Sequence, residues 1–137
     1  MPDLQRTTLN PANAPKPLGA YSHAVKVSAG SLVYIAGQVG VDANGDLAGP
    51  DVEAQTRQVF QNIGHVLAGA GATFADVVEF TTYLVGRDSI QPFIEARTQL
   101  FPTLFPNADY PPNTLLVVSG LVQVEFLVEI KAVAALP

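Results

Sequence analysis

The stretch EFLVEIKAVAA, Glu125 to Ala135, constrains the fold more than any other. Phe126, Val128, Ile130 and Ala132 alternate with Leu127, Glu129, Lys131 and Val133. A period of two puts successive side chains on opposite faces of an extended strand. One face of this strand is dry, and its other face carries a carboxylate and an ammonium group among apolar neighbours. The chain must therefore build a sheet with something packed on one side.

The remaining segments supply the other layers. Tyr21 to Ser28 reads as a strand, with Tyr21, His23, Val25 and Val27 on one face. Ala29-Gly30-Ser31 reads as a turn into a second strand, LVYIAGQVGVD, so the two form a predicted hairpin. Asn44-Gly45 is a further turn signal. Asp51 is placed to cap a helix whose apolar stripe is Val52, Thr56, Val59, Phe60, Ile63, Leu67 and Ala70, with Gly69 and Gly71 at its end. DVVEFTTYLVG is a strand with Val78, Phe80, Thr82 and Leu84 on its dry face. Ser89 is placed to cap a second helix, with Pro92 in its first turn and Phe93, Leu100, Phe101 and Leu104 on its buried side. Pro102 is expected to end or kink that helix. TLLVVSG is nearly all apolar and is predicted to be a strand buried on both faces.

The predicted order is ββαβαββ, an α+β domain of one mixed sheet with both helices packed on one face. The 137 residues are enough for a single domain with a real core. The first twenty residues, with four prolines, read as an extended, irregular lead-in.

Composition enters where the second sheet face needs a cover. Only 14% of residues are charged, against the roughly 25% usual for globular chains, and 48% are apolar. A neighbouring copy is the simplest cover, so a homo-oligomer is expected. The net charge of −5, with no cluster of Lys or Arg, argues against electrostatic binding to nucleic acid or anionic membrane. With no cysteine there is neither disulfide nor thiolate chemistry, and His23 and His65 are too far apart to make a zinc site alone. No secretory leader pattern or apolar run of roughly 18 residues is present, so a cytoplasmic location is expected.

Candidate chemistry is sparse. Glu129, flanked by Val128 and Ile130 on a face that a partner would dry, reads as a general base, as half of a Glu129–Lys131 pair or as an edge charge that discourages aggregation. Asn113, after Pro111-Pro112, is ordinary loop chemistry or part of a site with Thr114. Tyr21 has a ring that stacks on a ligand or packs a rim. Gly37-Gln38 brings backbone close to a ligand or merely ends a strand. His65 is offset from the apolar stripe of its helix and reads as a surface residue. No P-loop, GxGxxG or HExxH pattern occurs.

Taken in order, GAYSHAV, LVYIAGQVGVD with its NG turn, GAGATFADVVEFTTYLV, PPNT and LVEIKAVA resemble the RidA (YjgF-like) family. The resemblance runs from about Asn13 to Ala135, and the order and spacing carry it more than any single motif. It implies a chorismate-mutase-like sheet with two helices on one side and a homotrimer with a ligand cleft at each subunit interface. It also implies hydrolysis of reactive enamines and imines, such as 2-aminoacrylate and 2-iminobutanoate, to 2-oxo acids and ammonia, without metal or organic cofactor.

Residue by residue, Tyr21 matches the tyrosine that packs on the ligand, and Gly37 the glycine whose backbone lines the cleft. Ala36 stands where many members have serine. Glu129 matches the glutamate that positions or activates water. Asn113 departs: active members have there an arginine that grips the substrate carboxylate. A neutral amide in place of a charge-assisted fork is a shortfall of about 1–2 kcal/mol, roughly five- to thirty-fold. Lys131 departs too, standing where many members have a second acid. The resemblance thus implies that the well-known reaction is weak here or redirected to another substrate. The alternatives are a non-catalytic binding or chaperone-like trimer and, least compatible with the negative charge, a ribonuclease.

Overall fold

The computed structural model describes residues 5–28 and 30–137. The chain runs β1 (Gln5–Leu9), β2 (Ala24–Ser28), β3 (Ser31–Val39), α1 (Val52–Gly69), β4 (Val77–Val85), α2 (Ile90–Leu104), β5 (Asn113–Val118) and β6 (Val128–Leu136). Strands β3, β6, β4 and β5 form one sheet in that spatial order, antiparallel except for the parallel pair β4–β5. Both helices lie on one face of it, as the α+β reading expected. The period-two pattern of β6 is realised: Val128, Ile130, Ala132 and Ala134 are buried beneath the helices, while Glu129, Lys131 and Val133 take the opposite face.

α1 forms where a cap and an apolar stripe coincide. The Asp51 carboxylate accepts a hydrogen bond from the Ala54 N–H at 3.0 Å, satisfying one of the orphan donors of the first turn, worth about 1 kcal/mol. Val52, Thr56, Val59, Phe60, Ile63 and Leu67 then face the sheet, but Ala70 is exposed. Between helices and sheet, Phe60, Phe74, Phe80, Phe101, Phe105 and Tyr110 pack mostly edge to face. The centroids of Phe60 and Phe101 are 5.4 Å apart, and those of Phe101 and Phe105 are 4.9 Å apart, within the favoured range for such pairs.

Several sequence expectations are corrected. The lead-in is not irregular throughout: Gln5–Leu9 is a strand, and it, rather than β3, is the partner of β2. The predicted hairpin is therefore absent, and β2 begins at Ala24, leaving Tyr21 and His23 in the preceding loop. Of the predicted turn, Ala29 lies outside the described residues, while the Gly30 N–H donates to Leu136 O and extends the β3–β6 ladder. β5 is an edge strand with Leu116 and Val117 partly exposed, not a strand buried on both faces. A register slip between Val77 and Glu79 places Val77, not Val78, on the dry face of β4. The Ser89 hydroxyl donates backwards to Val85 O at 2.6 Å instead of capping α2. Pro102 sits within the last turn of α2, which continues to Leu104; near a helix end the missing N–H removes only one bond.

Candidate functional site

Glu129 is positioned by an irregularity in the sheet. β3 and β6 pair regularly up to Ile35 and resume at Gln38, so Ala36 and Gly37 bulge out of the ladder. Bulges re-aim backbone and side chains locally. Here the bulge brings the α-carbon of Gly37 against the Glu129 side chain. A Cβ at position 37 would lie 2.1 Å from Glu129 Oε2 and 2.9 Å from its Cγ. Only glycine fits without moving the carboxylate. On the other side, Glu129 is opposite Tyr83 of β4. The ion pairs among the described residues are Arg6–Asp109 and Arg57–Glu53, so Glu129 is not neutralised by Lys131.

Asn113 opens β5 opposite Phe80, and its amide oxygen accepts a 2.8 Å hydrogen bond from the hydroxyl of the buried Thr82. Phe80 and Thr82 lie on the helix-covered face, so the Asn113 side chain is turned that way too. Thr114 takes the opposite face, level with Thr81 and, one strand further, Lys131. The loop before β5 is tied on both sides: the Phe80 N–H donates to Pro112 O at 2.9 Å, and the Ser22 N–H to Pro111 O at 3.4 Å. That second bond places Tyr21 beside the loop. Tyr21 is itself held by a tight turn, its N–H on Gly19 O and its phenol oxygen accepting from the Leu18 N–H at 3.0 Å. His23 meets the Tyr21 ring edge-on and contacts Pro15 O. His65 is exposed, as expected.

The sequence reading missed Arg97. It lies on α2, only 6% exposed, with its guanidinium 5.3 Å from the centre of the Phe93 ring and 5.9 Å from that of Phe101. Its Nε is buried without a hydrogen-bond partner, and neither ion pair among the described residues includes it. Burial lowers its pKa below the usual guanidinium value, an effect that the nearby Tyr21 opposes. The signal was available: Phe93, Arg97 and Phe101 recur every four residues, which sets a cation in the middle of a dry stripe.

Two clusters result, one on each side of the sheet. Gly37 and Glu129, with Tyr83, share the uncovered face. Tyr21, Arg97 and the loop to Asn113 share the helix side. A polar cleft of ≈ 500 Å³ near the end of β3 is lined by Gln38, Asp42, Asn62 and His65 and includes none of these residues. Its Asn62 amide is already engaged by Val39 O and Val41 O. Among the described residues no three His, Asp or Glu side chains gather as a metal site requires, and no helix is long and apolar enough to cross a membrane.

Comparison with known proteins adds relatives to this geometry. The family model described as Endoribonuclease L-PSP matches residues 11–136. A RutC family protein of Pyrococcus horikoshii is 37% identical over 123 residues, 89% of this chain and 91% of that protein. The human 2-iminobutanoate/2-iminopropanoate deaminase is 35% identical over 107 residues, 77% of each chain. Among solved structures, YyfB from Yersinia pestis, a protein of unknown function in the conserved Rid family, superposes with a TM-score of 0.85 at 38% identity, covering 96% of this chain and 98% of that one.

Proposed function

Because this chain belongs to the Endoribonuclease L-PSP family, the family of the Rid and YjgF proteins, we propose that it hydrolyses a small reactive imine or enamine in a cleft completed by neighbouring copies. The observation that carries this reading is the Glu129 carboxylate lying on the bare α-carbon of Gly37. It is an acceptor held at a backbone bulge and unpaired with Lys131. Such a group can orient a water molecule and take its proton as the oxygen attacks the C=N carbon. The C–N bond then breaks, nitrogen leaves as ammonia after protonation, and the carbonyl product remains. Tyr21 walls the ligand, the Gly37 backbone lines it, and Asn113 and Thr114 stand at the β5 entrance. No metal or organic cofactor has a part in this step.

The uncovered sheet face supports the assembly. Leu32, Tyr34 and Leu116 leave it substantially exposed, and a homotrimer would dry it while bringing Glu129 of one copy towards the Tyr21–Asn113 side of the next. Carboxylate-bearing substrates such as 2-iminobutanoate are turned over weakly, because position 113 offers a neutral amide. The test is to generate imines in the cuvette, subtract their free decay, and compare wild type with Glu129→Gln. A rate above background that vanishes in the variant supports hydrolysis at Glu129; equal rates above background exclude Glu129 from the step, and no rate above background in either form excludes hydrolysis.

A second reading has its own observation. The Asn113 amide oxygen is already bound to Thr82, which leaves only its neutral amide N–H groups to meet a ligand and no charge at that position to aid turnover. Ligand binding that survives Glu129→Gln, with no turnover in either form, favours that non-catalytic role. RNA cleavage has least support, since the net charge is −5 and no basic track exists.

A further inference from the structure

Arg97 is a buried cation for which the described residues provide no counter-charge. A charge removed from water is costly unless paired, and replacing an unpaired one by an apolar chain is commonly stabilising. Two aromatic rings compensate only in part, cation–π contacts being individually modest. Of its nitrogens, Nε is the one both fully buried and unpartnered. A Cβ on Gly19 would meet its Nη2 at 3.2 Å. The end of the guanidinium therefore looks onto the bare turn that holds Tyr21. The phenol oxygen of Tyr21 accepts from Leu18, which leaves its O–H free to donate. A guanidinium edge and a phenol donor on one turn make a two-point receptor for a planar anion.

We propose that Arg97, reaching from α2, receives the carboxylate of a small organic acid beside Tyr21. This rests on the reading of the Tyr21–Asn113 side as part of the ligand cleft and adds the ligand's chemical class. The carboxylate is gripped from the helix instead of from the head of β5. Firm binding of small carboxylates and weak turnover of 2-iminobutanoate are then expected together, because the acid group is anchored at a shifted point. Geometry displaced by about an ångström can lower a rate a hundred-fold without weakening binding.

The experiment uses the full chain and two probes of one shape, 2-oxobutanoate and neutral 2-oxobutanamide, measured by titration calorimetry. Wild type should bind the acid at least tenfold more tightly than the amide. Arg97→Met should remove that preference while melting at or above the wild-type temperature, and Arg97→Lys should keep part of it. An unchanged preference in Arg97→Met overturns the proposal, as does a wild type that binds neither probe. Dissociation of the assembly by Arg97→Met would also overturn it, since the counter-charge would then belong to another copy. The imine assay separates the two readings. A preference that ignores Arg97 while turnover still needs Glu129 defeats this inference alone. A preference that needs Arg97 with no turnover defeats only the hydrolytic one.

Discussion

The two faces of the four-stranded sheet are built from the same strands and have opposite fates. Under the helices, Phe60, Phe80, Phe101 and Ile130 are closed off from water; of the polar members, Thr82 and Gln55 are bonded, while Thr56 Oγ1 and Arg97 Nε are not. On the other face Tyr34 is 76% exposed, and Glu129 has no cationic partner among the described residues. One face holds the domain together; the other leaves Leu32, Tyr34 and Leu116 open to solvent. A carboxylate that no internal contact neutralises is most useful on the face that an assembly can dry.

The strongest way to break this contrast is to weigh the faces against each other. Phe60→Ala should destabilise the fold by about 3–5 kcal/mol in urea titrations, as for other large-to-small aromatic changes in cores. A loss below about 1 kcal/mol would show that the helix-covered face is not the structural one. Next, Glu129→Gln should lower imine turnover by roughly 100-fold or more, the usual scale for an acid–base group, with no change in melting temperature. Gly37→Ala should follow it, because the new methyl takes the place of the carboxylate; full activity in that variant would remove Gly37 and Glu129 from the site. Thr82→Val comes fourth. It strips the Asn113 oxygen of its donor and should cost about 1–2 kcal/mol, where no change would mean water replaces the hydroxyl. The smallest effect on folding is expected of Tyr34→Ala, within about 0.5 kcal/mol as for other surface changes. It should instead lower the assembled fraction in sedimentation at micromolar concentration. An unaltered mass distribution would place the subunit contact elsewhere.

How much of the site could be read in advance varies residue by residue. The alternation of Val128, Glu129 and Ile130 put the carboxylate on the correct face, and resemblance singled out Gly37, but nothing local announced that the two touch. That contact depends on a bulge, which the sequence Ala36-Gly37-Gln38 permits without requiring. Asn113 was marked as a chemical position, yet the side it faces is decided by a hydrogen bond to Thr82, 31 residues away. Arg97 is masked in the sequence by its company, because the phenylalanines and leucines of α2 define an apolar stripe and the cation falls at the same spacing.

By itself the sequence determined the periods: a dry face on β4 and β6, an apolar stripe on α1 with its Asp51 cap, and the α+β class that follows. These are local properties, because backbone geometry dictates side-chain direction within a few residues. Only the tertiary structure decided that β2 joins β1 instead of β3, that β5 is an edge, and that Arg97 faces the Tyr21 turn. Strand partners are chosen among alternatives similar in local preference, so the choice falls to long-range closure and to which polar groups find partners once buried.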